Sequence, residues 1–266
     1  MMDLQTEIAD GVATIIFNRP AARNAATGPM LQEMRRFLAD VASMPDVRCV
    51  LVSGSGEHFM AGGDVRGFDG KLDLEGRERE IEFAARARAG AALLVQLARM
   101  PQPVVTKVRG AAAGIALGFI SASDFAFCAS SSVFVLAQVG IGASPDGATT
   151  WWLPRIIGAR RAKEIALLGQ RFGAIEALQM GLVNQVLPDE GLDQAVDTLI
   201  GRLVAAPGES IRRTKRLLDL SMQNDLESQL ELEAQAFGAC AATADFVEGV
   251  RAFIEKRPAK FNQTTG

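Results

Sequence analysis

Apolar positions along this chain recur with two periods, and the switches between them lay out its elements. Two strand-like segments, residues 4–8 and 12–17, flank Asp10-Gly11. That pair suits a two-residue hairpin turn, so an antiparallel hairpin is expected. Met30, Leu31, Met34, Leu38 and Val41 then recur at helical spacing, with Thr27 ahead of them as a cap. A strand over 47–52 follows. Residues 75–98 read as a long helix, Arg/Glu-rich early and Ala/Leu-rich later, which Pro101 and Pro103 end.

A strand over 104–108 leads to a third helix, which opens at Gly114 and runs to Ala122. Residues 125–146 read as a third short strand plus a loop, and 151–168 as helix. Beyond them the pattern is mostly helical, over 174–180, 192–204, 210–220, 226–241 and 244–255, with strand-like 183–187 between. No internal repeat or low-complexity tract interrupts it. A weak boundary near Pro188 separates a sheet-containing core, residues 1–188, from a helical region, residues 189–266. The class expected is α/β.

Composition narrows the function classes. With 266 residues and 48% apolar content the chain can bury a full core, and a net charge of −3 disfavours a nucleic-acid partner held through its phosphates. Cys49, Cys128 and Cys240 are odd in number and far apart, which suits a reducing compartment. Met1-Met2-Asp3-Leu4-Gln5 has neither the charged nor the apolar part of a secretory signal, so a cytoplasmic location is expected. Residues 125–145 carry no charge, but serines, Gln138 and turn formers interrupt them, so buried strands and loops are expected rather than a membrane span.

Candidate chemistry lies in two glycine-rich segments, Phe59-Met60-Ala61-Gly62-Gly63-Asp64-Val65 and Gly110-Ala111-Ala112-Ala113-Gly114-Ile115-Ala116-Leu117-Gly118. Each follows a β-branched run and offers backbone N–H groups that no bulky side chain shields. Two such donors aimed at one point make an oxyanion hole. Neither segment matches a Walker loop or a dinucleotide fingerprint. The lone histidine, His58, reads as a surface loop residue, and a single histidine disfavours a zinc site.

At these residues the chain resembles the enoyl-CoA hydratase/isomerase family, the crotonase superfamily, from the Asn18-Arg19-Pro20 turn to Phe261. The resemblance implies a crotonase (ClpP-like) spiral of ββα units with a helical C-terminal oligomerisation region, assembled as a homotrimer or a dimer of trimers. It implies a thioester carbonyl held by the amides of Gly63 and Ile115, beside Gly114. Coenzyme A, part of the substrate rather than a separate cofactor, is then expected along Arg23, Asn24, Ala25, Ala61, Asp64 and Val65, with Arg23 and Arg66 near phosphates. Lys260 and Phe261 match the family's C-terminal signature, which borders the nucleotide, often of a neighbouring subunit. Asp124 matches a structural brace, and residues 68–92 are expected to cover the pocket.

Hydratases of this family use two glutamates, at positions that correspond here to Gly118 and Gln138. Neither carboxylate is present. Asp146 instead falls where the hydratases have glycine, and with Pro145 before it and Trp151-Trp152-Leu153-Pro154-Arg155 after it, resembles the aspartate of the 1,2-epoxyphenylacetyl-CoA isomerases. By its local sequence alone Asp146 is an ordinary turn residue after proline. One carboxylate suits an isomerase, because one base can take a proton from one carbon and return it to another. Ile115, Phe119 and Trp151 are expected as apolar walls around it. The expected activity is therefore an acyl-CoA isomerase that moves a double bond or opens an epoxide ring. The alternatives are a hydratase-like enzyme of altered mechanism, a nucleophilic Asp146 aided by a histidine as in aryl-CoA dehalogenases, and a non-catalytic acyl-CoA-binding or assembly protein.

Overall fold

Asp10 and Gly11 both take positive φ, 49° and 78°, and so reverse β1 (Leu4–Ala9) into β2 (Val12–Phe17). The two strands pair antiparallel from Leu4 opposite Phe17 to Ala9 opposite Val12. This computed structural model describes residues 2–262; positions 263–266 of the expected helical region lie outside the described residues. Helix α1 (Gly28–Ala42) starts where Thr27 Oγ1 accepts from the Met30 N–H at 3.4 Å. It buries Met30, Met34, Leu38 and Val41 of the stripe its spacing predicts, while Leu31 is only partly buried against the same core.

There follow β3 (Cys49–Gly54), α2 (Gly76–Ala98), β4 (Val104–Val108), β5 (Ala111–Ala113) and α3 (Ile115–Ala122). Next come β6 (Phe125–Ala129), β7 (Val133–Val135), α4 (Thr149–Ile156), α5 (Ala159–Leu168), β8 (Arg171–Gly173), α6 (Ala174–Gln179) and β9 (Gln185–Leu187). Four helices end the chain: α7 (Leu192–Ala205), α8 (Gly208–Ser221), α9 (Leu226–Ala241) and α10 (Ala244–Glu255). The single helix expected over 151–168 is two, because Gly158 takes a positive φ of 79° between α4 and α5.

One sheet has the order β1-β2-β3-β4-β6-β9, parallel beyond the first hairpin. A second, small sheet has the order β5-β7-β8. Its strands of three residues are too short for alternation to reveal: β5 and β8 are absent from the sequence-based expectation, and β7 falls in the stretch read as a loop after a single strand.

β3 is apolar without alternation because both faces of the main sheet are covered. Val50 and Val52 face the cluster that includes α1, α2 and α3, whereas Cys49 and Leu51 face Leu192, Val196 and Leu203 of α7. Helix α7 thus packs on the sheet, and the more exposed helices are α8 to α10.

Asp124 ties α8 to that core. Its Oδ2 accepts from the Val104 N–H at 2.7 Å and from Lys215 Nζ at 2.6 Å, and Lys215 is buried. Helices α9 and α10 leave Leu226, Leu230, Phe237, Phe253 and Ile254 exposed, Phe253 at 85%. Among the described residues no helix is long and apolar enough to cross a membrane.

Candidate active site

The two glycine segments meet through main-chain pairing. Met60 donates its N–H to Ala111 O at 3.1 Å, and Ala113 donates to Met60 O at 2.9 Å. Three residues on, Ala26 donates to Gly62 O at 2.8 Å and Asp64 donates to Ala26 O at 2.9 Å. This parallel bridge uses the groups that flank Gly63, so the N–H of Gly63 itself points away from Ala26. Among the described residues it meets no acceptor.

Backbone conformation and close approach explain two of the glycines. Gly62 has φ of 93°, and a Cβ on it would lie 3.2 Å from Ala113 O, whereas at Gly114 the positive φ rather than crowding calls for glycine. Gly114, at φ 55°, donates to Val135 O at 2.9 Å and opens α3. Ile115 is therefore the first residue of a helix, where an N–H has no partner within the helix and the dipole is positive. Gly63, Gly114 and Ile115 line one cavity of about 700 Å³.

Asp146 enters the same cavity on a loop clamped at both ends. Ala143 donates its N–H to Gln138 O at 3.0 Å, and the Thr149 hydroxyl donates to Asp146 O at 2.8 Å. Gly147 and Ala148 carry positive φ, 62° and 54°, and a Cβ on Gly147 would come within 2.8 Å of Ile115 Cγ1. The loop thus rests on the residue that carries the second donor. Gln138 Nε2 donates to Asp146 Oδ1 at 3.0 Å. Among the described residues Asp146 is the only carboxylate lining the cavity. Gly118, where a second carboxylate would stand, is buried, and a Cβ there would overlap the Gly147 carbonyl oxygen.

Two of the three expected apolar walls are elsewhere. Phe119 is carried by α3 into the core, fully buried with its ring centroid 5.2 Å from that of Phe17. Trp151 is half-exposed under the Arg155 guanidinium at 4.0 Å and does not line the cavity. Ile115 does, together with Ile141, Phe68 and Phe83. Phe68 and Phe83 meet edge to face at 4.9 Å, and the Arg86 guanidinium lies 4.8 Å from the Phe68 centroid. Residues of 68–92 thus border the cavity, as expected, through α2 and the turn before it.

Of the residues expected along coenzyme A, Ala61 and Val65 line the cavity. Arg23, Ala25 and Asp64 form its adjoining turn. Ala61 donates its N–H to Arg23 O at 2.9 Å, and Arg19 Nη1 bridges Ala25 O at 2.7 Å and Asp64 Oδ2 at 2.9 Å. Burial works against the charge of Asp64, but the hydrogen bonds and charges of Arg19 and Arg66 together outweigh it and hold the carboxyl below its ordinary value. Asn24 is corrected to a structural residue: it is fully buried, its oxygen accepts from the Arg19 N–H, and its nitrogen donates to Ser55 O and His58 O.

Lys260 and Phe261 fold back on their own chain, away from the cavity. The Lys260 N–H donates to Glu248 at 2.8 Å, and Phe261 packs against Gly249. His58 is likewise corrected from a surface residue: half-buried, its Nδ1 accepts from the Ala111 N–H at 3.2 Å. The sequence carried one signal for this, Gly110, where a Cβ would overlap the Glu57 carbonyl oxygen beneath His58. The Gln138 to Asp146 contact had no signal, since a loop separates the two.

A family model described as Enoyl-CoA hydratase/isomerase matches residues 7–264. The chain is 35% identical to a Rhodobacter capsulatus protein named "Probable enoyl-CoA hydratase", over 97% of each chain. It is 32% identical to the 1,2-epoxyphenylacetyl-CoA isomerase of Escherichia coli, over 96% of this chain and 97% of that one. A solved enoyl-CoA hydratase from Bacillus anthracis superposes with a TM-score of 0.90 at 27% identity, covering 98% of this chain and 99% of the other.

Proposed function

The chain belongs to the enoyl-CoA hydratase/isomerase family and has the crotonase fold, and on that premise we propose that it is an acyl-CoA isomerase. The observation that carries this reading is that Asp146, the only carboxylate lining the cavity among the described residues, shares that cavity with Gly63 and Ile115.

The reaction follows from those groups. The Asp146 carboxylate takes a proton from the carbon between the thioester carbonyl and the double bond of a 3-enoyl-CoA. The electron pair left behind moves onto the thioester oxygen, and the two N–H groups stabilise the dienolate so formed. The protonated Asp146 then returns the proton to the far carbon of the dienolate, the carbonyl re-forms, and the double bond lies beside it. No water and no separate cofactor takes part; coenzyme A enters as part of the substrate. Where an epoxide carbon adjoins the α-carbon, the enolate's electron pair instead forms a carbon–carbon double bond as the neighbouring C–O bond breaks, and the protonated Asp146 gives its proton to the released oxygen.

Relatives carry both names, hydratase and isomerase. Hydration needs a group to activate water and one to protonate carbon. Here the space beside Gly118 is filled by the Gly147 carbonyl, and Gln138 is an amide, which favours isomerisation. The dehalogenase-like alternative lacks its histidine, since His58 is engaged with Ala111 and does not line the cavity. We further propose a homotrimer or dimer of trimers in the cytoplasm. The apolar side chains exposed on α9 and α10 support the assembly, within which Lys260 and Phe261 would border a neighbour's nucleotide.

The test is incubation with a 3-enoyl-CoA in deuterated buffer, reading conjugation by absorbance and label by mass spectrometry. Conversion with label, lost in Asp146→Asn while thioester binding is retained, is the expected result. Binding without conversion or exchange would instead favour a non-catalytic acyl-CoA-binding protein.

A further inference from the structure

We infer that Gln138 is a positioning residue for Asp146, held in place at the expense of its own amide oxygen. This role rests on the isomerase reading and deepens it. Gln138 engages the acid's loop twice, through Nε2 to Asp146 Oδ1 at 3.0 Å and through its main-chain oxygen to the Ala143 N–H at 3.0 Å. Its side chain also lies against the second glycine segment, where a Cβ on Gly114 would meet Nε2 at 3.4 Å. One side chain thus spans the acid and the turn that presents the Ile115 amide.

The other end of that amide is the telling part. Oε1 of Gln138 is buried and has no hydrogen-bond partner among the described residues. The reverse orientation would set the amide oxygen against Oδ1, two acceptors with no proton between them. The carboxylate therefore dictates which way the amide points, and the fold bears the cost of an unpaired buried acceptor. In a native fold such an atom needs an account, and a functional site is one.

The consequence for the reaction concerns which oxygen works. With Oδ1 engaged by Gln138, Oδ2 has no partner among the described residues and is the oxygen left to take and return the proton. A shuttle between two carbons depends on that oxygen staying within reach of both. Gln138 itself neither gives nor takes a proton and acts only through Asp146.

Gln138→Met keeps the length of the side chain while removing both the donor and the unpaired acceptor. Expected with a 3-enoyl-CoA is a fall in kcat of about ten- to a hundredfold, with KM held within about twofold. Thermal unfolding should stay within about 4 °C of the wild type, since losing the hydrogen bond to Asp146 and removing an unpaired buried acceptor act in opposite directions. In an Asp146→Asn background, the same change should cost nothing further in residual proton exchange.

A lower Tm with kcat and KM worsened together would mean that Gln138 only packs, and would overturn the proposal. Unchanged kcat in Gln138→Met, beside a wild type that isomerises and an Asp146→Asn variant that does not, would overturn it alone. A wild type that neither converts nor exchanges would remove the isomerase reading and this role together.

Discussion

The Gly147 carbonyl oxygen occupies the space into which any side chain on Gly118 would grow. Gly118 sits in α3, beneath the loop that carries Asp146, so the missing acid of the hydratases and the extra acid of this chain are two sides of one packing arrangement. A glutamate at Gly118 and this loop path exclude each other. Gly118→Ala should therefore destabilise the fold by about 1–3 kcal/mol, as overpacking of a tight core does, and displace Asp146. Thermal unfolding and isomerase kcat should both fall, and a variant with wild-type Tm and turnover would contradict the packing.

Ile115 occupies the first position of α3, where proline is tolerated because the N–H is not used by the helix. Ile115→Pro thus deletes one proposed donor while leaving the helix start intact. Turnover should drop by about a hundred- to a thousandfold, or about 2.7–4 kcal/mol of transition-state stabilisation. Ile115→Val, which alters bulk and keeps the N–H, serves as the control. Equal losses in the two variants would assign the effect to pocket shape.

Lys215 is buried against Asp124, which is itself held by the Val104 N–H. Lys215→Met leaves that carboxylate without its cation. The expected loss is on the order of 3 kcal/mol, the lower part of the range for a broken buried pair because Asp124 retains some exposure. Chemical denaturation would measure it. Asp124→Asn in addition should recover part of the loss, which a purely steric effect of the introduced methionine would not allow.

Acid should release the C-terminal turn before it unfolds the core. The Arg257 side-chain hydrogen bonds, then the Lys260 N–H, hold the Glu248 carboxyl down to about 2 from an ordinary 4.5. A carboxyl held lower in the fold than in the unfolded chain contributes stability above its ordinary value. That contribution fades as pH falls below 4.5 and is gone near 2. Amide exchange at Lys260, corrected for intrinsic rates, should accelerate across that window, and Glu248→Gln should flatten the response.

Local pattern sufficed wherever one short stretch decides its own geometry. Asp10-Gly11 set the first turn, Thr27 with Met30, Met34, Leu38 and Val41 set α1, and Gly114 with Ile115 marked the start of α3. The two glycine segments also stood out in the sequence, because close backbone approach leaves glycines behind, whereas Asp146 reads locally as a turn residue and stood out only through the resemblance to the family. Tertiary packing decided the rest. Whether Phe119 and Trp151 or Phe68 and Phe83 wall the cavity depends on where α3, α2 and α4 cross, which spacing within any one of them does not encode. Likewise α7 closes the main sheet, His58 braces Ala111 and Gln138 holds Asp146 through contacts between elements that only the folded chain brings together. Burial and hydrogen bonding act between neighbours in space, and a sequence orders only neighbours along the chain.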